Sequence, residues 1–128
     1  MEKILIIDDD PDIVQAMRLV LQDKGYSVIS SENAEEGINS AQEEKPDLII
    51  LDVVMPGQDG FEVSRILKKG PNTQKIPILM LTAVKDKMGL DFKSEVGNED
   101  WLPVDDYCDK PLDNKELVAK VEGLLNNN

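Results

Sequence analysis

Short unbroken blocks of hydrophobic residues alternate along the chain with longer stretches in which hydrophobic residues recur every three or four positions. Ile4-Leu5-Ile6-Ile7, Leu48-Ile49-Ile50-Leu51 and Ile78-Leu79-Met80-Leu81 are the clearest blocks. Runs this short, rich in Ile and Leu and followed by turn residues, read as strands buried on both faces of a parallel sheet. The pattern predicts strands near 3–7, 26–30, 47–51, 76–82 and 105–108. It predicts helices near 11–24, 34–44, 60–69 and 114–125. Strands and helices in alternation predict an α/β fold, a parallel sheet with helices on both faces. Right-handed crossovers restrict its topology severely.

The helix boundaries carry their own signals. Asp10 precedes Pro11, a capping side chain before a proline suited to the first turn. Ile13, Met17, Val20 and Leu21 form one apolar stripe. Asn33 and Glu36 have capping-box spacing, as do Asp113 and Glu116. Leu112 and Leu117 are spaced as a hydrophobic staple at the last helix, and Val118, Val121, Leu124 and Leu125 are expected to supply its buried stripe. Residues 126–128 are expected to form a frayed tail, leaving 1–125 as a single domain. Residues 83–104 fit no element well, because Gly89, Gly97 and Pro103 interrupt any long helix. A short helix over Lys85–Glu95 is the expectation there.

Each of the three blocks ends in a residue able to handle phosphate or a divalent metal. The first runs into Asp8-Asp9-Asp10, the second into Asp52 and the third into Thr82. Ligands of an open parallel sheet sit outside the carboxyl ends of its strands, so these residues are candidates for one shared site.

Composition narrows the chemistry. The chain has 128 residues, enough for one domain that buries roughly two thirds of its unfolded surface. The longest apolar stretch is far short of a membrane span, and Met1-Glu2-Lys3-Ile4 has no long apolar core of a signal peptide, so cytoplasmic residence is the expectation. The formal charge is −12, from 14 basic and 26 acidic residues, which opposes nucleic acid and anionic membrane as partners. There is no histidine and one cysteine, Cys108. That removes an internal disulfide, a structural zinc site and histidine-assisted nucleophiles, and leaves carboxylates assisted by hydroxyls and lysine.

Four segments together resemble the receiver domain of two-component response regulators: ILIIDDDPDI, LIILDVVMPGQDG, PILMLTA and DDYCDKP. The resemblance covers almost the whole chain. It implies a flavodoxin-like, doubly wound sheet of five parallel strands in the order 2-1-3-4-5. In that order, Asp8 and Asp9 flank Asp52 on one side, and Thr82 lies one strand away on the other, about 5 Å. The fifth strand lies two strands away, on the order of 10 Å, a distance that a long side chain such as Lys110 can span. Three crowded carboxylates repel one another, and a small hard cation with oxygen ligands relieves this. Mg²⁺ fits, taking carboxylates, waters and phosphate oxygens, with Mn²⁺ as the alternative ion.

The resemblance further implies Asp9 and Asp52 as direct metal ligands, the backbone carbonyl of Val54 as another, and Asp8 acting through bound water. Asp52 would be the phosphoacceptor, with Lys110 and Thr82 neutralising and hydrogen-bonding the phosphoryl oxygens. The donor would be a sensor histidine kinase or a histidine phosphotransfer protein. Thr82 and Tyr107 would form a switch that changes a protein–protein surface. Gly60 would permit a tight turn, and the peptide bond between Lys110 and Pro111 would be cis. The spacing from Thr82 to Tyr107 is longer than usual, Pro103-Val104 replaces a common Gly-Ala, and Phe92, Trp101 and Leu102 fall in that stretch. The helix before the fifth strand is therefore expected to be atypical.

Each residue alone has a plainer reading: a helix cap, a turn aspartate, a surface lysine, a strand-end hydroxyl. Asp10 is assigned to capping, Asp12, Asp59, Asp105, Asp106 and Asp109 to solvated charge, and Cys108 to apolar filling. The leading functional expectation is a stand-alone, non-enzymatic phosphoacceptor that signals through protein contacts. The alternatives are an inactive scaffold receiver, or an aspartyl-nucleophile phosphatase, whose second acid would fall where Val54 stands. A flavin protein of similar topology would need a hydroxyl- and glycine-rich loop after the first strand, where three aspartates stand instead.

Overall fold

The computed structural model describes residues 2–52, 54–55, 58–82, 105–109 and 113–126, with the backbone alone at 54, 55, 58, 59, 82 and 109. Five strands form one parallel sheet: β1 (Lys3–Ile7), β2 (Ser27–Ser31), β3 (Leu48–Asp52), β4 (Ile78–Thr82) and β5 (Asp106–Asp109). Their spatial order is β2-β1-β3-β4-β5. Among the described residues four helices accompany them: α1 (Pro11–Asp23), α2 (Ala34–Glu44), α3 (Gly60–Lys69) and α4 (Asn114–Asn126). The 2-1-3-4-5 order expected from the resemblance is the observed one. α4 takes in Asn126, one residue beyond the expected end of the domain.

The central strands are as apolar as their position demands. Every residue of Ile4–Ile7, Leu48–Leu51 and Ile78–Leu81 is fully buried. Alternate residues feed two cores. Leu5, Ile7, Ile49, Leu51, Ile78 and Met80 face α2 and α3. Ile4, Ile6, Leu48, Ile50, Leu79 and Leu81 face α1 and α4.

The helix starts follow the sequence signals. Asp10 Oδ1 accepts the backbone N–H groups of Asp12 and Ile13, 3.0 and 3.4 Å away. Asn33 Oδ1 accepts that of Glu36 at 2.9 Å. Asp113 Oδ1 accepts those of Lys115 and Glu116. Each cap satisfies donors that the first turn of a helix leaves open. Gly25, at φ 94°, turns the chain from α1 into β2 in the left-handed region that favours glycine.

Three expectations need correction. In α4 Leu117 and Val121 are buried and Leu124 and Leu125, partly exposed, pack against the same core, while Val118 stays half-exposed at the margin of the stripe. The segment after β3, where the pattern predicts no strand, contains a minor antiparallel ladder pairing Val54 with Asp59 and Met55 with Gln58. Asp105 and Asp106 are not idle solvated charges. Asp105 Oδ2 accepts the Ile78 N–H at 2.8 Å and the Lys68 ammonium at 2.8 Å, and Lys68 also donates to the Ile76 carbonyl. Asp106 Oδ1 accepts the Tyr107 N–H at 2.8 Å and pairs with Lys120 at 3.3 Å.

The sheet's β2 edge is covered from α1. Arg18 donates through Nη1 to the Val28 carbonyl at 2.9 Å and through Nη2 to Ser30 Oγ at 2.8 Å. Ser27 and Ser31 use their backbone groups toward β1, so the Val28 carbonyl is one that points outward.

Candidate metal and phosphoryl site

The site is assembled by strand register. β1 pairs with β3 through Ile7 and Leu51, so the next residues, Asp8 and Asp52, stand side by side at the carboxyl end of the sheet. The Asp8 N–H donates to the Ser31 carbonyl at 3.1 Å, which carries the β1–β2 pairing one step beyond the last strand residue. Asp8 Oδ1 accepts the Asp10 N–H at 2.9 Å, which turns the chain toward the start of α1. Asp8 is thus oriented by backbone on two sides, and Asp10 is taken up by its cap. Asp9 is left exposed between them.

One carboxylate oxygen each from Asp8, Asp9 and Asp52 lies within 4.8 Å of the others. Asp8 and Asp52 are only 1% and 3% exposed, so two of the three carboxylates lie where water solvates them poorly. Carboxylates packed so closely with little water repel one another strongly. The donor set is all oxygen, and one member is open to solvent. That suits a hard divalent cation that keeps part of its water shell, such as Mg²⁺, better than a soft transition metal.

The other expected site residues stand as follows. β4 lies beside β3, with Asp52 paired to Leu81, so the Thr82 backbone is one step past the acidic cluster. Thr82 pairs in turn with Asp109 on β5, the residue just before Lys110. The Val54 backbone begins the minor ladder two residues after Asp52. Gly60 is the buried first residue of α3. Lys110, Pro111 and Leu112 lie outside the described residues, as do residues 83–104 with Phe92, Trp101 and Leu102. The cis bond, the staple and the short helix expected at these positions therefore have no counterpart to describe.

Tyr107 is half-buried, and its side chain packs against the core that contains Met80, its partner across the β4–β5 pair. Cys108, on the opposite face, is fully buried among Leu79, Leu81, Leu117 and Val121, as expected of an apolar filler. Sequence reasoning missed Lys120, whose ammonium sits 5.4 Å from the centre of the Tyr107 ring. A lysine on an amphipathic helix gives no sign of which ring it will meet across a sheet edge. Sequence reasoning also missed the Ser31 carbonyl, whose role depends only on pairing.

A doubly wound 2-1-3-4-5 sheet with an acidic cluster at its carboxyl end defines a flavodoxin-like α/β domain suited to binding a cation. The chain belongs to the response regulator receiver domain family, whose model matches residues 4–122, and is thus a receiver domain of two-component signalling. It is 43% identical over 126 residues to the alkaline phosphatase synthesis transcriptional regulatory protein PhoP of Bacillus subtilis, covering 97% of this chain and 48% of that protein. It spans about half the length of such curated relatives, the transcriptional regulatory protein AfsQ1 of Streptomyces coelicolor among them at 52%. By contrast, it is 32% identical over 125 residues to protein PilH of Pseudomonas aeruginosa, covering 98% of each chain.

Among solved structures, the chemotaxis protein CheY4 of Vibrio cholerae superimposes with a TM-score of 0.85 at 30% identity, covering 97% of this chain and 98% of that one. The receiver domain of a sensor histidine kinase from Pseudomonas aeruginosa, solved with a magnesium ion coordinated in its active-site cleft, gives 0.83 at 25% identity, with 98% of each chain covered. Among the described residues, no helix is long and apolar enough to cross a membrane.

Proposed function

We propose that this receiver accepts a phosphoryl group on Asp52 from a phosphohistidine of a sensor histidine kinase or a histidine phosphotransfer protein. The observation that carries the reading is the convergence of Asp8, Asp9 and Asp52 oxygens within 4.8 Å at the carboxyl ends of two adjacent strands. A carboxylate nucleophile beside two further carboxylates cannot approach an anionic phosphoryl group unless positive charge is supplied. Asp9, Asp52 and the Val54 carbonyl would hold Mg²⁺ directly, or Mn²⁺ in its place, and Asp8 would do so through water. The cation would offset the charge of the carboxylates and of the incoming phosphoryl oxygens.

In the transfer, an Asp52 carboxylate oxygen bonds to phosphorus as the phosphorus–nitrogen bond of the donor histidine breaks. The electron pair of that bond returns to the imidazole, which takes up a proton. Lys110 neutralises the phosphoryl oxygens and Thr82 donates a hydrogen bond to them, so positioning and charge do most of the work. Tyr107 responds to the movement of Thr82 and alters a surface for a downstream protein. The receiver acts as one cytoplasmic, non-enzymatic signalling domain. The net charge of −12 argues against direct contact with nucleic acid or membrane.

Intact-mass measurement after incubation with a small phosphodonor tests the reading. A single phosphate adduct is expected with Mg²⁺ present, and none with a chelator or in Asp52→Asn. An unmodified mass under all conditions would mean a scaffold receiver. Rapid turnover of a simple phosphoester without an adduct would mean a phosphatase.

A further inference from the structure

Tyr107 and Lys120 meet in an unusual way. β5 is the outermost strand of the sheet on its side. Cys108 points to the face covered by α4, and Tyr107 points to the opposite face. Lys120 belongs to α4, yet its ammonium lies 5.4 Å from the Tyr107 ring centre, within cation–π range. The lysine therefore reaches past the β5 edge to meet a ring on the far side.

The same ammonium is 3.3 Å from Asp106 Oδ1, and that oxygen accepts the Tyr107 N–H at 2.8 Å. One carboxylate oxygen thus fixes both the backbone of Tyr107 and the cation over its ring. The Lys120 side chain is 24% exposed, so most of its stem is covered where it passes the strand edge. The pair with Asp106 gives the ammonium a second partner that does not move with the ring.

We propose that Lys120 is a positioning residue for Tyr107: its ammonium, held between the Asp106 carboxylate and the ring, fixes the ring's resting rotamer and so sets how readily Tyr107 moves when Asp52 is phosphorylated. The last clause rests on the phosphoacceptor reading; the first does not. Loss of the cation is expected to raise the population of the alternative rotamer about two- to fivefold.

The test uses the whole chain with Lys120→Met, which keeps the stem and removes the charge, and Lys120→Arg, which restores a cation. Scalar couplings between Hα and the Hβ protons report the χ1 populations of Tyr107. The chain has two tyrosines, so Tyr26 serves as internal control. In the unmodified protein, one dominant Tyr107 rotamer is expected in wild type and Lys120→Arg. A mixture is expected in Lys120→Met, with Tyr26 unchanged. Identical Tyr107 couplings in wild type and Lys120→Met overturn the proposal. So do Tyr26 couplings that shift together with those of Tyr107, since general loosening would then be the cause.

With phosphodonor and Mg²⁺ added, Tyr107 of Lys120→Met is expected to reach its phosphorylated rotamer at a lower extent of Asp52 labelling than in wild type. If both need the same labelling, the part that concerns switching fails. If wild type takes no label at all, the phosphoacceptor reading fails, and the rotamer result still decides the role of Lys120.

Discussion

Asp8 and Asp52 extend side by side from paired strands, both nearly sealed from solvent, with carboxylate oxygens less than 4.8 Å apart. Two unit charges at about 4 Å repel by roughly 1 kcal/mol in water and about 4 kcal/mol at an effective dielectric of 20. The folded protein holds this pair together with the strength of two central strands. Asp8→Asn keeps the oxygen that accepts the Asp10 N–H and removes one charge. It is expected to stabilise the metal-free protein by about 1 kcal/mol or more. Wild type should gain about 2.7 kcal/mol from Mg²⁺ at a hundred times its dissociation constant. The variant should gain much less. Thermal melts with Mg²⁺ and with chelator check both signs.

Gly37, in α2, lies directly over Ile7. A Cβ at Gly37 would come 2.6, 2.8 and 2.9 Å from three side-chain carbons of Ile7, which is fully buried. Alanine in a helix interior ordinarily gains about 1 kcal/mol over glycine. Here overpacking, at about 1–3 kcal/mol, opposes that gain. Gly37→Ala is expected to lower stability in urea denaturation, against the usual helix trend.

Asp105 ties three elements at the end of the sheet opposite the acidic cluster. Its carboxylate holds the Ile78 N–H of β4 and the Lys68 ammonium of α3. Asp105→Ala leaves a donor of a fully buried residue unpaired and should cost about 1–3 kcal/mol. Lys68→Met removes a partly exposed ion pair and the hydrogen bond to the Ile76 carbonyl and should cost about 1 kcal/mol. Asp105→Asn, which still accepts from Ile78, should lie near Lys68→Met. Chemical denaturation of the three variants orders them.

Burial holds the Tyr26 phenol above its ordinary value of 10.0, with the charges of Glu122 and Glu2 adding to the shift. Below the unfolded pKa the phenol is neutral in both states and the stability linked to it is fully present. As pH rises past 10 the unfolded chain loses its proton first, and stability falls until the folded pKa is passed. Tyr26→Phe should lack this alkaline loss. Denaturant midpoints measured between pH 9 and 11.5, with ultraviolet titration of the phenol, check the slope.

Much of the fold was legible because its strands are central and parallel. Such strands must be apolar on both faces, and four-residue blocks of Ile and Leu say so without help from context. Helix starts were legible where a cap is local, as at Asp10, Asn33 and Asp113. The acidic cluster could be anticipated because the strand order implied by the resemblance brings Asp8 next to Asp52. What could not be read depends on reach across the sheet. Asp105 and Asp106 look like surface charges until Lys68 and Lys120 arrive from helices far along the chain. Val118 continues an apolar pattern, but how far the core reaches across the helix is a tertiary quantity. The closeness of Gly37 to Ile7 is likewise set by how α2 settles on β1.

The guanidinium of Arg18 has a consequence beyond the stability of α1. A strand from another molecule approaching β2 would seek the outward carbonyl of Val28 for one of its hydrogen bonds, and that oxygen is already engaged. The intruder would have to evict a cation before the ladder could grow. Molecule-to-molecule extension of the sheet is therefore disfavoured along that margin by the native fold itself, even when the protein is concentrated.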